Sequence, residues 1–244
     1  AFKMSGKDEL MSTRARANVL REILTYGLDG KVLDSPELRE VLYSCLACKG
    51  CKGECPSNVD MTRIRAEILQ QIYDQEGTPF RSWMVARMAE VERLGAIVPA
   101  FYNFAATWKP SASLIKKLVY FAPERAIPTI SNKKIKTSDR PSDKKVYFFL
   151  DEFTRHQEPE LAETLANMLE KLGYQVLIPK LGESGRAAIS KGCLKLAKKQ
   201  AVRNVNIAKD FVTDETPLIG LEPSCILSFR DEYPDLVPVE MRPV

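Results

Sequence analysis

Apolar positions recur at helical spacing through the first half of the chain; in the second half, short continuous apolar runs alternate with helical stretches. Ser12 through Leu24 reads as a capped helix, with Ser12 or Thr13 at the N-cap and the good helix formers Ala, Leu, Arg and Glu behind it. Gly27 and Gly30 are expected to end it. Ser35-Pro36-Glu37 opens a second helix to about Tyr43, with proline in the first helical position. Ser57 to Asp60 introduces a third, Met61 to about Tyr73, whose apolar stripe is Ile64, Ile68, Leu69 and Ile72. From Pro79 to about Ala122 the spacing stays helical, interrupted by Pro99 and Pro110. Met84, Met88, Val91, Leu94, Phe101, Tyr102, Phe104 and Trp108 make this the most apolar and aromatic stretch.

Ser, Asn, Lys, Asp and Pro then dominate to Lys145, with little apolar surface to bury, so residues 129–145 read as a linker. An α/β rhythm follows. Val146 to Leu150, Tyr174 to Ile178 and Leu218 to Leu221 read as strands. Glu158 to Leu172, closed by Gly173, and Ala187 to about Asp210 read as helices. Strands alternating with helices imply a parallel sheet with right-handed crossovers.

Cysteine usage sharpens this picture. Four of six cysteines fall within Cys45-Leu46-Ala47-Cys48-Lys49-Gly50-Cys51-Lys52-Gly53-Glu54-Cys55-Pro56, the pattern C-x2-C-x2-C-x3-C-P. Such crowding points to metal binding in a reducing compartment, since disulfide scaffolds spread their cysteines through a small secreted chain. Two-residue gaps let three thiolates converge on one face of a cubane, and Gly50 and Gly53 allow tight turns. Backbone N–H groups of such a loop point at the anionic cluster. A zinc ribbon would need a second C-x2-C pair after a long gap, and none is present. The expected ligands of a [4Fe–4S] cluster are therefore Cys45, Cys48, Cys51 and Cys55. In two-cluster ferredoxins the fourth cysteine of a run serves the other cluster; on that pattern Cys55 would do so, and a further thiolate would come from upstream of Ala1. The chain opens on Ala1 and closes at Val244 soon after a strand-like segment, so both ends are expected to lie within a longer protein.

Charge changes the picture little. Thirty-six basic against thirty-two acidic residues give a net +4 without a concentrated basic stripe, which argues against a nucleic-acid binder. No apolar run reaches bilayer-spanning length and no secretory leader stands at the start. The expected location is the cytoplasm, including the inner face of the cell membrane.

The chain resembles the C-terminal part of FAD-linked oxidoreductases in which a flavin domain for D-2-hydroxy acids is fused to iron–sulfur and cysteine-rich domains. D-lactate and D-2-hydroxyglutarate dehydrogenases and glycolate oxidase iron–sulfur subunits are of this kind. The matching words are Ser12 to Asn18 (STRARAN), Cys45 to Met61 (CLACKGCKGECPSNVDM) and Ala122-Pro123-Glu124-Arg125. Further on come Asp151 to Thr154, Glu183 to Arg186 with Ser190-Lys191-Gly192, and Gly220 to Cys225. The resemblance implies an upstream FAD domain and an acceptor such as a quinone or another redox protein. It also implies the fold class: multidomain α and α/β, with an alpha-helical ferredoxin-type domain and helical extension over 1–128. The linker then leads to an α/β cysteine-rich-type domain over 146–244, expected to be incomplete. Relatives often carry Cys-Cys-Gly where this chain has Glu183-Ser184-Gly185, so the second type of cluster is not expected.

Other residues invite two readings each. Cys225, after Glu222-Pro223-Ser224 at the expected end of a strand, is a candidate ligand or redox thiol, or else a small buried residue. Cys193, beside Leu194 and Leu196 in the expected helix, reads as core filler. Gly185-Arg186 could cradle an anion but fits a tight turn better. His156, the only histidine, reads as a surface residue at the start of a helix rather than a catalyst. The aromatic and basic stretch from Phe101 to Tyr120, with Lys109, Lys116 and Lys117, could face a partner domain or an anionic membrane. Ordinary packing between the two halves of the chain is the default expectation.

Overall fold

A computed structural model describes residues 8–26, 35–135 and 141–242. Gly27 and Gly30, expected to end the first helix, and residues 136–140 of the expected linker lie outside it. Grouped by contact, the described residues form two compact units. The first runs to Trp83 and includes Ile189–Leu194; the second comprises Met84–Ala188 and the residues from Lys195 onward.

The first unit is helical. After a 3-10 turn at Glu9–Met11 come α1 (Thr13–Tyr26), α2 (Pro36–Tyr43), the short α3 (Gly50–Glu54) and α4 (Met61–Glu76). Their starts follow from local chemistry. Ser12 Oγ accepts from the N–H of Ala15 at 3.0 Å, and Ser35 Oγ accepts from that of Leu38 at 3.1 Å. Asp60 Oδ1 takes the N–H groups of Thr62 and Arg63 at 3.0 and 3.2 Å. Each cap satisfies donors that the first turn leaves orphaned. Leu38, Val41, Leu42, Ile68, Leu69 and Ile72 form the buried seam, each no more than 5% exposed. Burying such a side chain is worth about 1.5–3 kcal/mol.

Helix α5 (Phe80–Ala86) leads to the second unit, whose helices α6 (Met88–Gly95), α7 (Pro99–Thr107) and α8 (Lys109–Leu118) precede the sheet. Pro99 and Pro110 sit in the first turns of α7 and α8, so they begin helices rather than interrupt one. The three strands are β1 (Lys145–Phe149), β2 (Gln175–Leu177) and β3 (Leu218–Gly220). They pair in the order β2-β1-β3, all parallel, with Val146 opposite Val176 and Phe148 opposite Ile219. Side chains of β1 alternate between two buried faces. Val146 and Phe148 pack with Ala162 and Ala166 of α10 (Pro159–Lys171). On the other face, Phe149 packs with Leu181, Ala208 and Cys225. The fold is thus mostly helical with a small three-stranded parallel sheet, the coarse form of the expected class.

Two details depart from the sequence pattern. Ile130, 4% exposed, is buried, and its N–H and C=O both bond the side chain of Asn103, at 2.8 and 2.9 Å. Ile135 packs on the sheet core. The polar composition around these two isoleucines hid them; Asn132, Lys133 and Lys134 between them are exposed. The helix expected from Ala187 to Asp210 is two, α11 (Arg186–Ser190) and α12 (Leu194–Ala208). Gly192 separates them with φ +73°, and a β-carbon there would overlap Leu69 Cβ. Only glycine both adopts that conformation and allows the approach to α4.

Candidate functional site

The cysteine loop lies between α2 and α4, and two buried arginines fix where it starts. The last carbonyls of a helix have no intrahelical donor. At the end of α2, Arg16 Nε donates to Val41 O at 3.3 Å and its Nη2 to Ser44 Oγ at 3.1 Å. Arg65 Nε donates to Leu42 O at 2.6 Å, and its Nη1 to Ser190 O at 2.9 Å. Cys45 follows at once, its N–H bonded to Leu42 O at 3.3 Å. Burial lowers the Arg65 pKa first, and Cys45 is the leading group whose charge works in the opposite direction, so sulfur and guanidinium sit within electrostatic reach.

The loop itself is tightly wound. Ala47 and Lys49, on either side of Cys48, have φ of +53° and +60°, and Asn58 after Cys55 has φ +53°. Non-glycine residues rarely take this region, and such strain concentrates where surrounding structure or function demands it. A β-carbon at Gly50 would stand 3.7 Å from Cys48 Sγ, ordinary contact, so the glycine leaves room beside that sulfur without being sterically required. None of the six cysteines is in a disulfide; Cys48 is exposed and Cys45, Cys51 and Cys55 are half-buried. The N–H groups of Val59, then Ser57 and Asn58, point at Cys55 and hold its thiol below its ordinary pKa. Lys52 closes the base of the loop on Asp60 at 3.8 Å.

The donor chemistry suits iron–sulfur ligation: four soft thiols in one loop, one of them ringed by amide donors that favour the thiolate. Among the described residues, however, no three of His, Cys, Asp or Glu are gathered closely enough to hold a metal ion. The sulfurs share a loop and are not brought together into a closed set.

A second polar cluster lies at the carboxyl end of β1. Asp151, fully buried, caps α9 (Glu152–His156) by accepting from Phe153 N and Thr154 N at 2.9 and 3.0 Å. Glu152 Oε1 and Oε2 accept from Ser184 Oγ at 2.6 Å and Ser184 N at 2.9 Å. Burial raises the Glu152 pKa. Tyr233 Oη donates to Ser184 O and accepts from Asn204 Nδ2, both at 2.9 Å. Ser184 thus organises the spot where a Cys-Cys-Gly word is often found in the resembling proteins. Cys225, fully buried beside it, is pushed well above its ordinary pKa by burial and then by Glu152.

The remaining candidates resolve individually. Gly185, at φ +78°, makes the tight turn, and Arg186 pairs with Glu232 at 3.6 Å. Cys193 is buried, as expected for a core residue, but precedes α12 instead of lying inside it. His156 ends α9 rather than starting a helix; it is half-buried with Nδ1 3.4 Å from Ser131 O, and burial lowers its pKa. Along the aromatic stretch, Phe101, Phe104, Trp108, Leu114, Leu118 and Tyr120 are all more than half exposed. No helix among the described residues is long and apolar enough to cross a membrane.

Sequence reasoning missed Arg16, Arg65 and the Glu152–Ser184 pair. A signal existed for Arg65, which interrupts the apolar stripe of Met61, Ile68, Leu69 and Ile72 at its own spacing. Glu152 and Ser184 each lie in one of the matching words, but for their pairing, thirty-two positions apart, no local signal exists.

Comparison with known proteins places these residues in context. D-2-hydroxyglutarate dehydrogenase of Pantoea ananatis is 27% identical over 238 residues, covering 91% of this chain and 23% of the relative. The Escherichia coli K12 protein of the same name is 24% identical, covering 82% and 21%. One subunit of the anaerobic glycerol-3-phosphate dehydrogenase of Escherichia coli K12 is 26% identical over 180 residues, covering 69% and 45%. No family model matches, and no solved structure matches. The chain spans less than a quarter of the length of the D-2-hydroxyglutarate dehydrogenases. Its homologues are dehydrogenases and a part of one, in keeping with the resemblance to FAD-linked oxidoreductases read from its sequence.

Proposed function

We propose that this chain is the iron–sulfur electron-transfer segment of a FAD-linked D-2-hydroxy acid dehydrogenase, passing electrons from a flavin domain to an acceptor such as a quinone or another redox protein. The observation that carries the reading is the C-x2-C-x2-C-x3-C-P run set between two capped helices, in a chain whose relatives are dehydrogenases. When bound, a [4Fe–4S] cluster accepts and releases single electrons. Cys45, Cys48, Cys51 and Cys55 are the proposed ligands, in an alpha-helical ferredoxin-type domain.

The chain's own residues do three things in this account. Arg16 and Arg65 anchor the end of α2, so the first ligand leaves a fixed point. The same guanidiniums place positive charge beneath a site that becomes anionic when its thiols are deprotonated. The amides of residues 57–59 stabilise negative charge at Cys55, the ligand nearest α4. Catalysis on the hydroxy acid belongs, in this proposal, to the flavin-bearing part.

A second reading, a docking module that carries a cluster but conducts no electrons, is favoured by one observation. The exposed aromatic face of α7 and α8 offers a surface on which another domain could sit. Replacing Cys48 by serine in the intact enzyme separates the two. The electron-transfer reading expects hydroxy-acid-to-acceptor turnover to be lost while flavin reduction and assembly persist. Unimpaired turnover in the assembled variant would contradict it and leave docking.

A further inference from the structure

In open α/β sheets, ligands bind in the crevice beyond the carboxyl ends of the strands. A cleft of about 290 Å³ lies there in the second unit, over the ends of β1 and β2. That volume is at the lower edge of the roughly 300–1,000 Å³ typical of small-molecule sites, so its occupant is small.

The charge of its walls is lopsided. Arg93 comes from α6, Arg155 from α9, Lys180 from the segment after β2 and Arg203 from α12. No ion pair engages Arg93, Lys180 or Arg203 among the described residues. Arg155 is half-buried, and its Nη2 is turned to Leu150 O at 3.0 Å. Arg93 and Arg155 lie close enough for their like charges to repel. Two carboxylates also line the cleft, both within electrostatic reach of Arg155 and both hydrogen-bonded to neutral groups. Glu152 accepts from Ser184 with both oxygens, and Glu183 Oε2 accepts from Gln200 Nε2 at 2.9 Å. Four cations from four separate elements therefore line one hollow against two carboxylates, which leaves an excess of positive charge there. A folded chain tolerates such repulsion most readily where a counter-charge is meant to arrive.

We propose that this cleft binds a small doubly charged oxyanion, either a dicarboxylate or a phosphate. Planar guanidiniums on separate walls suit paired oxygens of either group, and Lys180 adds a point charge. The site shares no residue with the cysteine loop and does not depend on the electron-transfer reading.

Isothermal titration of the chain with inorganic phosphate and, separately, with glutarate tests it, at 0.15 M KCl so that diffuse charge attraction is screened. The expected result is one-site saturable binding of at least one probe. It weakens about tenfold or more in Arg203→Ala and in Lys180→Ala, as loss of a charge-assisted hydrogen bond implies. Lys198→Ala, an exposed lysine of α12 outside the cleft, leaves it unchanged. The probe that binds more tightly identifies the ligand group. All three positions are exposed, and circular dichroism checks that each variant folds. Binding of neither probe, or equal weakening by Lys198→Ala, overturns the proposal.

Discussion

Glu92 on α6 is only 2% exposed, yet it carries a carboxyl. Its Oε1 accepts from Gln157 Nε2 at 2.6 Å, while Oε2 has no partner. Gln200 Oε1 is likewise unpartnered, and both residues line the same cavity of about 10 Å³, room for about one water. Burial drives the Glu92 pKa from 4.5 up to about 7, against the lowering effect of the Gln157 bond. The sign follows from proton binding. Between pH 4.5 and 7 the folded chain holds a proton that the unfolded chain has released, so stability is full below 4.5 and falls as pH rises towards 7. At roughly 1.4 kcal/mol per pH unit, that interval amounts to up to about 3 kcal/mol. Glu92→Gln removes the titration, keeps an acceptor for Gln157 and supplies an N–H towards a cavity that now presents two bare acceptors. Urea denaturation followed by tryptophan fluorescence at pH 5 and pH 8 measures the effect. The variant should match the parent at pH 5 and exceed it by about 2–3 kcal/mol at pH 8. A variant less stable than the parent at pH 8, or one with the parent's pH slope, would refute the reasoning.

Gly192→Ala must place a β-carbon into Leu69 at a positive φ, and should destabilise the chain by about 3 kcal/mol in the same denaturation experiment. A loss below about 0.5 kcal/mol would show that the approach relaxes easily. Arg65→Met keeps the length of the side chain and removes its bonds to Leu42 O and Ser190 O, with an expected cost of about 3 kcal/mol. Faster amide hydrogen exchange at Cys45, whose N–H shares the Leu42 carbonyl, should accompany it; unchanged exchange there would argue against the anchoring role.

What the sequence made legible was local. Helix starts at Ser12 or Thr13, at Ser35 and within Ser57 to Asp60 could be read because capping is decided within three residues, and Ser12, Ser35 and Asp60 do cap. The strands were visible because a buried parallel strand is a continuous apolar run, as Val146 to Phe149 is. The break at Gly192 was missed because helical spacing of apolar residues continues through it. The reason for the break is Leu69, more than a hundred positions away. Buried charges were hidden for the same reason. Arg16 and Glu92 look like residues of a solvated helix face until Val41 and Gln157 are brought to them. The cysteine spacing was plain, and it names donors; it does not say how closely the sulfurs approach. The cationic cleft assembles residues from Arg93 to Arg203, so no window of sequence contains it.

The central claim concerns the four cysteines, and the most direct test is the metal they hold. Iron and acid-labile sulfide should be measured on the chain purified without oxygen, together with its EPR spectrum after dithionite reduction. An extended version including upstream sequence should be measured alongside. The account predicts about four irons and four sulfides per cluster and a reducible signal, fuller in the extended version and lost in Cys48→Ser. Zinc in place of iron, or no metal in either version, would contradict it.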